Sequence, residues 1–163
     1  MGVRNCAEIG ENLQKIVTRL MANDNLVKLL YHTSKDPLNC PNLSEEEKRE
    51  HIFEKLIKVV PKLDPKETAH SVACIKVISG NKDSSNTEFK NVRIEIELFV
   101  PLTQWFIKDT NLRPFAILGE IQKSLDGKTV NGLGKMIGGD FELGFFTEEL
   151  GVYNQTFWIT TYE

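Results

Sequence analysis

Apolar residues recur at three- and four-residue steps through the N-terminal third of the chain, which predicts amphipathic helices. The stripe of the first predicted helix consists of Cys6, Ile9, Leu13, Ile16, Val17, Leu20 and Met21. After a break at residues 23–25, the apolar residues of a short second helix are Leu26, Leu29, Leu30 and Tyr31. Ser44 and Glu47 form a capping box that begins a third helix, which ends before Pro61. The residues that this third helix is predicted to bury are Ile52, Phe53, Leu56, Ile57 and Val60.

The hydrophobic period changes to two after Pro65, which predicts β-strands. The first strand covers residues 71–79, and the polar stretch from Gly80 to Glu88 is the flexible loop of a hairpin. The second strand of this hairpin has the clearest alternation, and its inward side chains are Val92, Ile94, Ile96, Leu98 and Val100. Its outward side chains are Asn91, Arg93, Glu95 and Glu97.

A fourth helix and a second pair of strands follow. Residues 101–111 form a loop, after which a helix begins near Pro114 and ends at Gly127. Two strands at residues 139–146 and 153–162 then complete the chain's regular structure, joined by a short turn.

The order of these elements, ααα-ββ-α-ββ, predicts an α+β fold. Two hairpins with a helix between them favour a mostly antiparallel four-stranded sheet packed by helices. No linker is long enough to divide the chain, so residues 1–163 are expected to form a single domain. Residues 1–66 are its helical part, and residues 67–163 are the sheet with its covering helix.

The charge and the cysteine content exclude several classes of protein. The net charge is -3 over 163 residues, which is not the basic surplus of a nucleic-acid-binding protein. Three cysteines without a CxxC pair favour reduced thiols over a disulfide framework or a zinc site. No apolar run is long enough to span a membrane, and the first ten residues lack the pattern of a secretory signal. We therefore expect a protein that is made and kept in a cytoplasm, or packed into a particle there.

The glycine-rich stretch at residues 127–139 has some features of a phosphate-binding loop, but its spacing does not fit. A loop that closes with Gly127 and Lys128 requires a glycine at the position of Gln122. A dinucleotide fingerprint fails as well, because Ile137 stands where the third glycine belongs. Two interpretations remain open: a flexible or bulged connection into a strand, and an extended arm that becomes ordered against a neighbouring subunit.

The acidic pairs on the predicted strands do not form a catalytic pattern. Asp140 and Glu142 share one strand face, but no histidine or third acid is nearby in the sequence. The interpretation of Asp140 and Glu142 is therefore a solvated or interface-facing strand face. Glu95 and Glu97 receive the same interpretation, with Arg93 as a same-face or cross-strand partner. The three histidines are isolated and lack the spacing of a metal site. The sequence therefore predicts a protein that is not an enzyme and that uses no cofactor and no metal.

Three stretches of the sequence together resemble one family. They are residues 29–38 (LLYHTSKDPL), residues 112–128, which begin LRPFAI and end LDGK, and residues 138–143 (GGDFEL). This pattern resembles the neck or tail-completion proteins of tailed bacteriophages, which include tail-terminator-like proteins. The predicted order of elements fits this family, and the resemblance covers most of the chain.

The resemblance implies a structural virion protein of the tail or neck, assembled in the cytoplasm of a bacterial host. Subunits of that family form a homo-oligomeric ring, commonly sixfold, at the head-proximal end of the tail. The implied partners are copies of the same chain, a tail tube or sheath protein, and a head–tail connector or adaptor protein. DNA would pass through the lumen of the ring without specific binding, which a mildly acidic subunit suits. No membrane partner is implied.

A ring requires two complementary patches on each subunit, of about 800 Å² each. The candidate segments are the 81–88 loop, the 101–111 loop and the 127–139 stretch. The side chains predicted at the interface are Trp105, Phe106, Lys128, Asn131, Lys135, Arg93 and Glu95. The two loop aromatics also fit a second interpretation as core residues, because aromatic rings bury large areas. The alternative function is that of a small soluble α+β ligand-binding or enzymatic domain, with a cleft between the helices and the sheet.

Overall fold

The computed structural model describes residues 5–59, 69–82 and 89–160, which form an α+β fold. The helices are α1 (Cys6–Met21), α2 (Asp24–Tyr31), α3 (Glu45–His51) and α4 (Arg113–Leu125). The strands are β1 (Ile57–Lys58), β2 (Val72–Lys82), β3 (Phe89–Pro101), β4 (Phe106–Ile107), β5 (Asn111–Leu112), β6 (Thr129–Val130), β7 (Gly134–Phe146) and β8 (Leu150–Thr160). Within the described ranges, no helix is long and apolar enough to cross a membrane.

Six of these strands form one curled, mixed sheet in the order β1-β2-β3-β8-β7-β6, and β4 and β5 form a separate two-stranded sheet. The prediction of a mostly antiparallel four-stranded sheet is therefore wrong. The four long strands β2, β3, β8 and β7 are antiparallel neighbours, and β1 adds a parallel pairing at one edge. The strands missing from the prediction are each two residues long, and so short a segment contains no period that a sequence pattern can detect.

The third helix is shorter than predicted because the chain after it joins the sheet. α3 begins with the predicted capping box, in which the backbone N–H of Glu47 donates to the Ser44 hydroxyl and the N–H of Ser44 donates to the Glu47 carboxylate. It ends at His51, and Glu54 then adopts a left-handed conformation with a φ of 58°, which cannot continue a helix. Of the residues predicted on the buried face, Ile52, Leu56 and Ile57 are buried, Phe53 is exposed, and Val60 lies outside the described residues.

The glycine-rich stretch 127–139 folds onto its own subunit, so its interpretation as an extended arm is wrong. β6 pairs with the first two residues of β7 across a tight turn. Two basic residues of α1, Lys15 and Arg19, donate hydrogen bonds to backbone carbonyls of the turn and of β6, at 2.9 and 3.0 Å. The interpretation as a bulged connection into a strand is confirmed by a register shift between β7 and β8 in the first half of β7.

The helices cover one face of the sheet, which we call the helix face; the opposite side is the second face. The predicted alternation of β3 is confirmed, because its inward side chains Val92, Ile94, Ile96, Leu98 and Val100 are all buried. β8 extends this layer with Phe157 and Ile159, which lie opposite Ile94 and Val92 of β3. The helices supply the opposing layer, with Ile16, Leu20, Leu26, Leu30, Ile117 and Ile121. Burial contributes about 1.5–3 kcal/mol for each large apolar side chain, so this interface is the main source of stability.

Arg113 holds together the loops around the start of α4. Its guanidinium is buried and donates hydrogen bonds at 2.6–2.9 Å to the backbone carbonyls of Leu29, His32, Ser34 and Gln104. Burial lowers the pKa of the Arg113 guanidinium below its ordinary value, but an arginine remains protonated in a protein, so these bonds are charge-assisted. The side chain thereby satisfies carbonyls at the end of α2 and fixes the segment that leads into β4.

Candidate assembly interface

One edge of the sheet is open along most of its length. β6 pairs with β7 only at Gly134 and Lys135. Within the part of the chain that the structure describes, no strand pairs with this edge of β7 from Asp140 to Phe146. We call residues 140–146 the β7 edge. Strand geometry makes this segment about 24 Å long, and it presents its backbone N–H and C=O groups to the outside.

The β7 edge carries large apolar side chains on both faces of the strand. Phe141, Leu143, Phe145 and Phe146 each keep 45–53% of their surface exposed. By the register with β8, Phe141 and Leu143 lie on the helix face, whereas Phe145 lies on the second face. Soluble proteins usually cover or block an exposed apolar edge, because it is a template for pairing with another chain. The β7 edge therefore has the properties of a protein–protein contact surface.

Two bulges shape the β7 edge. The register with β8 shifts between Gly138 and Asp140, and again between Leu143 and Phe145. A β-carbon at Gly138 would overlap the backbone carbonyl of Thr156, so glycine allows β8 to approach closely at this point. Bulges bend a strand and increase its twist, and these two therefore set the direction in which the edge faces.

An aromatic cluster joins the helix face of the β7 edge to α4 and to the segment before β4. It consists of Trp105, Phe115, Phe141, Phe146 and Tyr153, with neighbouring ring centroids 5.3–6.2 Å apart. Tilted and edge-to-face ring pairs at these distances contribute about 0.5–1.5 kcal/mol each beyond the area that they bury. Three of the five, the phenylalanines, remain at least 38% exposed. Aromatic side chains presented in this way supply the energetically dominant contacts of many interfaces.

A groove of about 480 Å³ lies between α4 and β7, next to the aromatic cluster. Gln155 forms part of its lining and is 1% exposed. Its Nε2 donates hydrogen bonds to the carbonyls of Leu118 and Gly139, at 3.2 and 3.1 Å. Its Oε1 has no hydrogen-bond partner in the described part of the chain. A buried acceptor without a donor is unfavourable, so the groove contains one polar atom that a bound group could satisfy.

Four charged residues of β2 and β3 on the second face pair within the subunit. Arg93 Nη2 lies 3.7 Å from Glu95 Oε2, and the Arg93 guanidinium lies 5.9 Å from the centre of the Trp158 ring. Lys76 and Glu97 form an ion pair with an N···O distance of 2.8 Å. The prediction that Arg93 and Glu95 are same-face partners is confirmed. The Lys76–Glu97 and Arg93–Trp158 contacts join neighbouring strands, whereas the Arg93–Glu95 pair lies along β3.

The seven side chains predicted at the interface lie in three separate regions. Trp105 is half-buried in the aromatic cluster, whereas Phe106 beside it is 66% exposed. The exposed β6–β7 hairpin, at the opposite end of β8, contains Lys128, Asn131 and Lys135. The last two, Arg93 and Glu95, form the ion pair on the second face of the sheet. The structure therefore does not bring the predicted set together into one patch.

The β7 edge is absent from the predicted interface segments, although the sequence places Asp140 and Glu142 on a solvated or interface-facing strand face. Its alternation of acidic and apolar residues predicts a half-buried strand, and that pattern is the same for a central strand and an edge strand. The available signal is the pair Phe145-Phe146, because two adjacent large apolar residues occupy both faces of a strand. Of the predicted 81–88 loop, residues 83–88 lie outside the described residues.

The ionisable side chains singled out from the sequence have local roles. Asp140 and Glu142 are exposed on the β7 edge. The ring of His70 stacks on Tyr31 at 5.5 Å, and its Nδ1 lies 2.8 Å from the Tyr31 carbonyl. The described residues contain no group of three or more His, Cys, Asp and Glu side chains that could hold a metal ion.

A comparison with family models finds a match over residues 23–142, to the model described as YomW. The matched region begins just before α2 and reaches the first residues of the β7 edge. The name is that of a protein family derived from a Bacillus phage, which is consistent with a phage-associated protein. Searches of curated proteins and of solved structures found no match.

Proposed function

The chain belongs to the YomW family, and on that premise we propose that it is a structural virion protein of a tailed phage. In this proposal, copies of the chain form a homo-oligomeric ring, expected to be a hexamer, at the neck. The ring terminates the head-proximal end of the tail and joins it to the head connector. Its partners are a tail tube or sheath protein on one side and a connector or adaptor protein on the other.

The observation that carries the proposal is the apolar β7 edge. An unpaired edge strand with phenylalanines on both faces favours association. Pairing it with another strand satisfies its backbone hydrogen-bonding groups and removes apolar surface from water at the same time. The adjacent aromatic cluster provides large, rigid side chains beside this strand. A surface of this kind on every copy supports a role in which self-association is the function.

The subunit's charge fits a ring through which DNA moves. Proteins that neutralise phosphates with lysine and arginine release counterions and hold DNA tightly, in a manner that depends on salt. A net charge of -3 disfavours such binding. The assembled ring is therefore expected to leave DNA mobile in its lumen, and tight, salt-dependent DNA binding by the purified ring would contradict this part of the proposal.

The test is the mass and shape of the purified chain, alone and with tail tubes, measured by light scattering and by electron microscopy. The diagnostic variant is Phe141→Asp/Leu143→Asp, which places two charges on the helix face of the β7 edge. A matched control is Leu38→Asp/Phe53→Asp, which changes two other apolar residues of 40–43% exposure away from this edge. Thermal unfolding establishes that both variants are folded.

We expect the wild type and the control to form closed rings, or to cap tube ends, and the diagnostic variant to remain a folded monomer. The opposite result is a wild type that stays monomeric with and without tubes, or a β7-edge variant that assembles as well as the control. Either outcome would remove the basis of the proposal.

A ligand-binding role is the second candidate function, and the groove between α4 and β7 favours it. The unpartnered Oε1 of Gln155 would accept a hydrogen bond from an N–H or O–H group of a small molecule. Saturable shifts of the Gln155 side-chain amide signals during an NMR screen of small hydrogen-bond donors would support this role. Ring formation by a Gln155→Met variant would show that the ligand-binding role of the groove is separate from assembly.

A further inference from the structure

We infer that the β7 edge of one copy pairs with the open edge of β2 in the next copy, so that one continuous sheet runs through the ring. The inference rests on the proposed function and names the partner surface that the proposed function requires. Four observations lead to it. Both edges lack a pairing strand among the described residues, they are similar in length, they carry opposite formal charges, and their strand directions allow an antiparallel contact.

The sheet has a second open edge, on β2. β1 pairs with β2 only at Ala73 and Cys74. Among the residues that the structure describes, no other strand pairs with this side of β2, and we call residues 75–82 the β2 edge. Val77 and Ile78 are 38% and 44% exposed there, although both are large apolar residues. The β2 edge therefore also presents apolar surface beside backbone groups.

The two edges match in length. The β2 edge has eight residues and the β7 edge has seven, so both are about 24–27 Å long. Strand addition requires comparable lengths, because each unpaired residue at the end of a ladder leaves its hydrogen-bonding groups to solvent.

The two edges carry opposite charges. The β7 edge contains Asp140 and Glu142 and no basic residue, for a formal charge of -2. The β2 edge contains Lys76 and Lys82 and no acidic residue, for a formal charge of +2, of which the charge of Lys76 is already offset by Glu97 of the same subunit. Pairing β7 with β7, or β2 with β2, would place like charges on adjacent strands, which is destabilising. Pairing β7 with β2 places opposite charges together, and this selects a heterologous contact over a twofold one.

The strand directions allow such a contact to repeat. Because β2, β3, β8 and β7 are successive antiparallel neighbours, β7 runs opposite to β2 within one subunit. A rotation about an axis along the strands keeps these directions, so β7 of one copy meets β2 of the next as an antiparallel pair. A heterologous contact of this kind closes into a ring when the rotation per subunit divides a full turn.

Charge reversal tests the inference. One variant, Asp140→Lys/Glu142→Lys, makes the β7 edge positive. A second, Asn81→Glu/Lys82→Glu, makes the β2 edge negative while keeping Lys76 in its ion pair. A third combines all four substitutions. Ring formation is measured by sedimentation velocity and electron microscopy, for each variant alone and for an equal mixture of the first two, and thermal unfolding confirms that each chain is folded.

We expect each two-residue variant alone to need about 100-fold or more higher concentration than the wild type for assembly, because like charges face each other. The mixture is expected to assemble as an alternating ring, and the combined variant to assemble alone, because both restore opposite charges at every contact.

Other outcomes overturn the inference in distinguishable ways. If the β2-edge variant assembles normally while the combined variant fails, the β7 edge pairs with another surface, and the proposed ring survives without this contact. If neither two-residue variant loses assembly, neither edge forms the contact. If the wild type itself never assembles, with or without tail tubes, the proposed function fails and the inference fails with it.

Discussion

The indole ring of Trp105 occupies the space that a side chain at Gly151 would need. A β-carbon at Gly151 would overlap two atoms of the Trp105 ring and approach Phe146 to 2.7 Å. Gly151 lies at the start of β8, opposite Phe146 of β7. The absence of a side chain at this position therefore lets an aromatic ring from another segment support the end of the β7 edge.

A Gly151→Ala variant is expected to lose about 1–3 kcal/mol of unfolding free energy, since the added methyl group must displace the Trp105 ring from a packed site. The measurement is urea unfolding followed by circular dichroism. Gly119→Ala is the matched control, because no atom lies within 4 Å of its added β-carbon and alanine favours a helix. Equal stability of the two variants would show that the Trp105 contact does not constrain position 151.

The sequence predicts the local periods of this fold well and its long-range pairings poorly. The alternation of β3 is confirmed, and so is the stripe of α1 from Ile9 onward, because each depends on residues a few positions apart; Cys6, predicted at the start of the stripe, is exposed. β1 and β6 are missed because two-residue strands exist only through their partners, β2 and β7. The exposure of the β7 edge is missed for a related reason. Whether a strand lies at the centre or at the edge of a sheet depends on the order of strands, which no local pattern specifies.

Replacing Arg113 by lysine is expected to destabilise the chain by about 2–4 kcal/mol. A lysine keeps the charge, but its single ammonium group cannot reach four carbonyls that a planar guanidinium bridges, and buried carbonyls would lose their donors. Urea unfolding measures the loss. Arg49→Lys on α3 is the control, because Arg49 is exposed and its change is expected to stay within about 0.5 kcal/mol. A similar small change for both variants would contradict the role assigned to Arg113.

Lys48 connects α3 to α2 through an ion pair that depends on pH. It is buried, with its Nζ 2.8 Å from Asp24 Oδ1 and 3.4 Å from Glu45 Oε1. Burial lowers the pKa of Lys48, but hydrogen bonds and charge from Asp24 and Glu45 outweigh it, and the pKa rises above its ordinary value of 10.5. The stabilisation is complete below pH 10.5 and is lost as pH rises through the higher pKa of the folded state.

Asp24→Asn is therefore expected to destabilise the chain by about 1–3 kcal/mol at pH 7 and to reduce the loss of stability above pH 10.5. Thermal unfolding at several pH values measures both effects. Asp36→Asn is the control, because both side chains of its pair with Lys108 are solvent-exposed and such pairs contribute little to stability. An unchanged pH profile in the Asp24 variant would show that Lys48 does not depend on this pair.

The cysteines are expected to differ in their reactivity. Burial raises the pKa of the Cys74 thiol above its ordinary value of 9.0, so little thiolate is present at neutral pH, whereas Cys6 is exposed. Alkylation by iodoacetamide, followed by peptide mass spectrometry, is expected to be about 100-fold or more slower at Cys74. In urea the two rates should converge. Comparable rates in the folded state would mean that the β2 strand opens readily at this position.

The position of β8 couples the appearance of the β7 edge to the completion of folding. β8 lies between β3 and β7, yet it begins 49 residues after β3 ends. A growing chain that has emerged only as far as α4 therefore holds β3 with β2 as its single long neighbour, and the sheet is complete only when β8 and β7 have been added. Only after this docking does β7 become an outer strand with its phenylalanines in place. Incomplete chains thus lack the β7 edge, and in the proposed ring the order of the strands would by itself keep unfinished copies out of the assembly.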